Sequence, residues 1–258
     1  TVIVLAHHDS KSQNLTMLQR GALTVVALVS AGTFALLAGL QALGALPAVA
    51  SWLAPTLGAI GAVALAVLST LRSGNESPGG VDNAGSLAIL LELADRLPET
   101  VDTSRTELVF LSPGAEEDHM VGAMRWLDKH GTDLADRSVV ALNMDGAGAP
   151  GRSVLLERYG LGRQFSPLLS RLARDVAADR GVRLRGVLMP PAMGIDAIPF
   201  VHRGIECLTL SSGSLDRATL AVHSCRDRAE HLSPEVLERT FRLAEEMVQR
   251  LAASDREV

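Results

Sequence analysis

Between Arg20 and Arg72 the chain carries no Asp, Glu, Lys, Arg or His. The first part of this stretch reads "GALTVVALVSAGTFALLAGLQALG" and the second "LAPTLGAIGAVALAVLSTL". A helix that lies on a water-soluble protein keeps a polar face towards solvent, and neither segment has one. A helical bilayer crossing needs roughly 20 apolar residues. The stretch is therefore expected to form two membrane spans joined by a short turn near "ALPAVASW", with Pro47 in the turn and Trp52 at the interface. A buried helical hairpin is the competing arrangement. A secretory signal peptide is not expected, given the internal position and the length.

A hairpin returns the chain to the side it left. Lys11, Arg20 and Arg72 flank it, and the turn has no Lys or Arg. By the positive-inside rule, residues 1–15 and 73–258 are expected in the cytoplasm. The expected division is a first strand and its loop in 1–15, an inserted transmembrane hairpin in 16–73, and the remainder of one soluble domain in 74–258. Lipid contact runs through 21–71. Because the chain starts inside a strand, further residues are expected before Thr1.

The soluble part alternates short β-rich runs with longer helical periods. "TVIVLAHHDS", "TELVFLS", "RSVVALNMD" and "IECLTLSS" read as strands. "DNAGSLAILLELADRL" reads as a helix capped by Asp82 or Asn83, and "EEDHMVGAMRWLDKHG" as one closed by Gly131. "SPLLSRLARDVAADRG" and "SPEVLERTFRLAEEMVQRLAAS" follow as further helices. Strands alternating with helices imply an α/β fold, a three-layer α/β/α sandwich around a mostly parallel, mixed sheet. The chain has 258 residues, enough for a sizeable core, and its net charge of −5 gives no reason to expect nucleic acid as a partner. Cys207 and Cys225 are too few for a disulfide framework and leave room for one bridge.

Carboxylates and histidines cluster where these strands end. "VIVLA" ends in His7, His8 and Asp9; "LVFLS" leads to Glu116 and Glu117; "VVALNM" ends at Asp145. Asp82 follows the glycine-rich "SPGGV", and His223 lies in "AVHSCRDR". Each has an ordinary explanation as a cap, a turn residue or a solvated acid, and the adjacent glutamates alone would pass for first-turn acids at the positive end of a helix. In an open α/β sheet, however, the ends of parallel strands share one edge, where ligands bind. Hard carboxylates with neutral imidazoles suit zinc, and more than four such groups suit two ions sharing a bridge. Metal charge would let two neighbouring carboxylates stay ionised side by side.

The soluble part resembles the M28 family of zinc peptidases. "LAHHDS" is similar to that family's Ala-His-Tyr-Asp-Ser, and "GGVDNAGSLAILLELA" to its Gly-Ala-Asn-Asp-Asn-Ala-Ser-Gly segment and following helix. "FLSPGAEEDHMVGA" resembles its Ala-Glu-Glu region, "LNMDGAG" its Asn-Leu-Asp-Met-Ile-Gly, and "VHSCRDRAEHL" its closing His-Thr-x-x-Asp-Thr. The resemblance implies two zinc ions bridged by Asp82, with His7 and Asp145 completing one and Glu117 and His223 the other. Glu116 would be the general base, and Asp9 would orient His7 from outside the ligand set. The implied activity is hydrolysis of peptide substrates, most simply by an aminopeptidase. Carboxypeptidase or glutaminyl cyclase action, or a non-catalytic membrane binding or assembly module, are the alternatives.

The sequence departs from the family pattern in places. His8 stands where a Tyr is usual, and "GIDAIPF" keeps Asp196 and Pro199 of a Ser-Asp-His-x-Pro-Phe segment but has Ala197 in place of His. Tyr159 is the only tyrosine, so no tyrosine is evident to stabilise a tetrahedral intermediate. Cys225 is an unneeded ligand beside His223, and His119 and His202 are expected at the surface. The hairpin lies between the segments bearing His7 and Asp82. It is expected to serve as an anchor, or alternatively to hold the metal centre close to the bilayer and its peptides.

Overall fold

A computed structural model describes residues 1–46, 51–189, 193–214 and 217–254. Pro47, expected in the turn of the hairpin, lies outside the described residues. The chain divides into two compact units, one of Thr1–Lys11 with Glu76–Val258 and the other of Ser12–Asn75.

The larger unit is built on a sheet of strands β1 (Val2–Leu5), β4 (Leu108–Leu111), β5 (Val140–Met144), β6 (Arg152–Tyr159), β7 (Arg163–Gln164), β8 (Leu184–Leu188) and β9 (Glu206–Gly213). Their order is β4-β1-β5-β9-β6-β7, with β8 also paired to β6. Pairing is parallel from β4 through β9 and between β6 and β8, and antiparallel where β6 meets β9 and β7. Every residue of β1 and β5 is buried. A strand buried along its whole length is covered on both faces, which explains why "VIVL" and "VALNM" lack the alternation of a half-solvated strand.

Helices α3 (Gly85–Thr100) and α5 (Pro167–Asp179) each pack on α8 (Pro234–Ala253), and all three lie against the sheet, while α4 (Val121–Leu134) packs with α6 (Ala197–His202), which lies on β5 and β9. A short α7 (Arg217–Ala221) follows β9. Both α5 and α8 start with a serine that accepts a main-chain N–H, Ser166 from Leu169 and Ser233 from Val236, followed by proline in the first turn. Those are standard start signals. The apolar stripe of α8, through Val236, Phe241, Ala244, Val248 and Leu251, is buried. Ile3, Leu5, Leu93, Leu142, Leu155 and Leu208 are among the fully buried side chains at the centre, each stabilising the fold by about 1.5–3 kcal/mol.

Two expected helix boundaries are corrected. Helix α4 begins only at Val121 and runs through Gly131 to Leu134, so Gly131 is interior, and Glu116 and Glu117 precede the helix. Helix α3 begins at Gly85 with no side-chain cap; neither Asp82 nor Asn83 caps it. Asn83 is buried, donating to the Met144 carbonyl (3.2 Å) and accepting from Gly146 N (3.1 Å).

The smaller unit opens and closes with a two-residue antiparallel ladder, β2 (Ser12–Gln13) against β3 (Ser73–Gly74), in which Ser12 pairs with Gly74. Asn14 extends it, receiving the Arg72 N–H on its side chain at 2.7 Å. Helix α1 (Met17–Ala42) starts with a capping box between Thr16 and Gln19. Helix α2 (Leu53–Leu68) packs on it where glycines leave room: a Cβ on Gly61 would stand 3.2 Å from that of Ser30, and one on Gly58 would stand 3.3 Å from the Phe34 ring. The expectation of two spans is met by one helix of sufficient length. With 26 residues and a mean hydropathy of 2.1, α1 is long and apolar enough to cross a membrane. At 16 residues, α2 extends about 24 Å, short of a hydrocarbon core of roughly 30 Å.

Candidate metal centre

Three parallel strands deliver their following loops to one edge of the sheet. Leu5 of β1 pairs with Leu111 of β4 and Asn143 of β5, so His7, the Ser112–Glu117 loop and Asp145 emerge side by side. His7 is almost fully buried. Its Nδ1 lies 3.1 Å from the Asp9 main-chain carbonyl, the arrangement in which Nδ1 carries the proton and donates. That leaves Nε2 facing a ring of acids: Asp82 Oδ1 at 3.3 Å, Asp145 Oδ1 at 3.9 Å and Glu116 Oε2 at 4.0 Å.

Asp82 stands between two imidazoles. Its Oδ1 faces His7 and its Oδ2 lies 3.1 Å from Nε2 of His223, which reaches the centre from the loop after α7. The main chain at Asp82 is not helical (φ −120°, ψ 85°). It is held by Asp227, whose carboxylate accepts the N–H groups of Val81 (2.7 Å) and Asp82 (3.2 Å). Gly80 permits this approach, since a Cβ there would fall 2.2 Å from the Arg228 carbonyl carbon.

The adjacent glutamates are held in the same way. Glu116 N and Glu117 N donate to the two carboxylate oxygens of Asp9, each at 3.1 Å. Glu117 points Oε1 to within 3.0 Å of His223 Nε2, yet that oxygen accepts no hydrogen bond among the described residues. Its other oxygen, Oε2, lies 2.9 Å from Lys11 Nζ. Glu116 is buried beside His7.

Two groups of potential ligand atoms result, His7–Asp82–Asp145 and Asp82–Glu117–His223, with the atoms of each within 4.8 Å of one another and Asp82 common to both. The donors are imidazole nitrogens and carboxylate oxygens, the set that suits zinc. A close contact between Glu117 Oε1 and His223 Nε2 without hydrogen-bond geometry fits two ligands aimed at a common cation.

The electrostatics agree. Burial alone would push His7 down, but Asp145, Asp82 and Asp9 raise it far above the ordinary imidazole range. Burial likewise opposes protonation of His223, and Asp82 and Glu117 outweigh it, raising His223 to about 9. Asp82 is held below the usual carboxylate range against its burial, by His223 and His7. Glu116 is pushed up to about 9 by burial, with Asp145 and Asp82 adding repulsion. A centre with this excess of acid calls for cations.

The sequence-predicted residues fall into distinct places. His7, Asp82, Glu117, Asp145 and His223 converge, with Glu116 at the edge of the cluster. The Asp9 carboxylate stays 3.5 Å from His7 Nδ1 and binds main-chain N–H groups; the Asp9 carbonyl orients the ring. His8 is exposed, its Nδ1 against Ser112. Cys225 is exposed and outside both ligand groups, and neither cysteine is in a disulfide. His119 and His202 are both exposed as expected, and the His202 ring lies near Tyr159, which itself packs on Phe165. Lys11, counted in the sequence as a charge flanking the membrane, pairs instead with Glu117; this leaves Arg20 and Arg72 as the flanking cations. Asp227, quoted only as part of a motif, had no assigned role. Asp196 is fully buried, neither oxygen has a hydrogen-bond partner among the described residues, and burial pushes it up to about 7.

A mostly parallel α/β sheet whose strand ends gather imidazoles and carboxylates around a shared aspartate defines a candidate metal-binding fold. The family description "peptidase family M28" matches residues 63–248, and the chain belongs to that family. His7 precedes the match, which begins within the inserted smaller unit. Among solved structures, the chain is similar to the zinc aminopeptidase BSAP of Bacillus subtilis, with a TM-score of 0.59 and 22% identity over 72% of this chain and 45% of that one. It is also similar to an aminopeptidase of Aneurinibacillus sp. strain AM-1 (TM-score 0.57, 20% identity, 68% of this chain and 40% of that one). A third similarity is to LapA of Legionella pneumophila (TM-score 0.58, 16% identity, 70% and 50%). These likenesses establish a shared fold, and the chain spans about half or less of those proteins' lengths. No curated protein sequence matches it.

Proposed function

We propose that this protein is a membrane-anchored zinc peptidase that removes N-terminal residues from peptides. The observation that carries the proposal is Asp82, set between two imidazoles and common to two ligand groups. His7 and Asp145 would hold one zinc ion with it, and Glu117 and His223 the second. Zinc at such a centre supplies Lewis acidity towards a peptide carbonyl and towards water. Glu116, buried beside the His7 group, takes a proton from the attacking water and returns it to the leaving amine nitrogen. Its raised proton affinity falls once positive charge enters the centre, which restores the ionised form a base requires. Asp9 and Asp227 keep the glutamates and Asp82 in place through their main chains.

Anchoring rests on α1 and α2. Leu28, Val29, Leu36, Val63 and Leu65 are each more than half exposed, an apolar surface that water disfavours and acyl chains accept. Only 11% of the apolar window of α1 is buried, unlike the core helix of a soluble protein. Arg20 and Arg72 favour a cytoplasmic catalytic unit.

The decisive experiment is zinc analysis of the purified protein together with an assay on free and N-terminally blocked peptides. Two zinc ions per chain are expected, both lost in Asp82→Asn. Glu116→Gln should keep its zinc and lose at least a thousandfold in hydrolysis. Turnover surviving in Glu116→Gln would remove the base, and preferential cleavage of blocked peptides would overturn the aminopeptidase assignment.

A further inference from the structure

Lys11 lies just beyond the loop that carries His7 and Asp9, and its side chain turns back into the centre. Its Nζ donates to the Glu117 main-chain carbonyl at 2.8 Å and stands 2.9 Å from Glu117 Oε2. Glu117 is thereby divided. One oxygen is committed to an ammonium, while the other, without a hydrogen bond, faces His223 at 3.0 Å. The His7–Asp82–Asp145 group has a different character, because the ion pairs of Asp145 and of Asp82 Oδ1 are with His7.

We propose that Lys11 makes the two halves of the centre unequal. It confines Glu117 to a one-oxygen ligand and sets a fixed positive charge beside the Asp82–Glu117–His223 group. A zinc ion there therefore binds more weakly than at His7–Asp82–Asp145 and exchanges with zinc in solution. The inference rests on the zinc centre proposed above. Two effects of Lys11 compete. Restraining Glu117 favours binding by sparing one side chain its loss of rotamer freedom. Repulsion between the ammonium and a divalent ion opposes binding, and between partly buried groups it is screened little by salt. The repulsion is the larger effect. The centre should fill in two steps, and occupancy of the second step, with the hydrolysis that needs it, should follow the zinc supply.

Equilibrium zinc titration of the detergent-solubilised full chain against a chromophoric chelator tests this, with thermal unfolding checking that each variant is folded. The unmodified protein should show one tight and one weak step. Lys11→Gln, which keeps N–H donors but no charge, should tighten the weak step tenfold or more and leave the tight one unchanged. Lys11→Arg, which keeps the charge, should retain the weak step. Two equal steps in the unmodified protein would overturn the proposal, as would a weak step unchanged or weakened in Lys11→Gln; the latter would make Lys11 a mere prop for Glu117. Zinc uptake that is absent, or indifferent to Asp82→Asn, would instead remove the zinc centre itself and this inference with it.

Discussion

Asp9 accepts the N–H groups of Glu116 and Glu117, and Asp227 those of Val81 and Asp82, so each of these carboxylates secures the main chain of two neighbouring residues. Such support fixes ligands without touching a metal, and its partners lie more than a hundred positions away in sequence. That distance hid these contacts in the sequence, where Asp9 was read only as orienting His7 and Asp227 had no role. His7, Asp82, Glu117, Asp145 and His223 sit at local boundaries between strand and polar loop, whereas nothing near Asp227 points to Asp82. The same residues set a pH response in the metal-free protein. Glu116 and His223 both rise to about 9 from ordinary values of 4.5 and 6.5. The folded form thus holds these protons more tightly than the unfolded chain. The resulting stability is present at low pH and is lost as pH rises through about 9. Asp82, held low, acts oppositely, its contribution being lost only in acid. Melting of zinc-free protein should therefore fall by several degrees between pH 6.5 and 9. Glu116→Gln should fall less and be the more stable of the two at pH 9, as followed by circular dichroism.

At the scale of elements, the strands with uninterrupted apolar runs and the helices with a clear stripe were legible. By contrast, β6 and β8 were not, because "RSVLLERY" and "LRGVL" mix charge into half-exposed positions. The start of α4 was misplaced for a related reason. "EEDHM" has helical composition, but Glu116 and Glu117 are drawn to Asp9 and the centre, and Ala115, His119 and Met120 take left-handed conformations before the helix begins. Gly122 sits at the tightest point of this connection, since a Cβ there would lie 2.0 Å from the Gly114 carbonyl oxygen. Two main chains in contact cannot yield as side chains do. Gly122→Ala should cost about 1–3 kcal/mol or more and weaken zinc binding by displacing the glutamates. Gly131→Ala, in the interior of the same helix with its nearest neighbour 3.6 Å away on a flexible arginine, should stabilise by roughly 0.5–1 kcal/mol. Chemical denaturation of the two variants gives the comparison. Equal effects would show that the Gly114–Gly122 approach does not constrain the centre.

For the whole molecule, composition alone separated a charge-free segment from an α/β chain, and the structure resolves the same contrast into two compact units. What composition could not give was the shortness of α2, because helix length depends on where the turn falls. The full chain should require detergent for extraction from membranes. A variant joining Asn14 to Arg72 through a short glycine–serine linker should be recovered without detergent and retain its zinc. Recovery of the full chain in the soluble fraction would refute anchoring. The junction itself carries a wider consequence. Ser12 and Gly74 are paired residues of one ladder, so the inserted segment enters and leaves through adjacent positions about 5 Å apart. A segment attached in that manner behaves as a cassette. It can be gained, lost or exchanged by recombination without re-registering any strand of the host sheet, and another anchor could be grafted at the same seam.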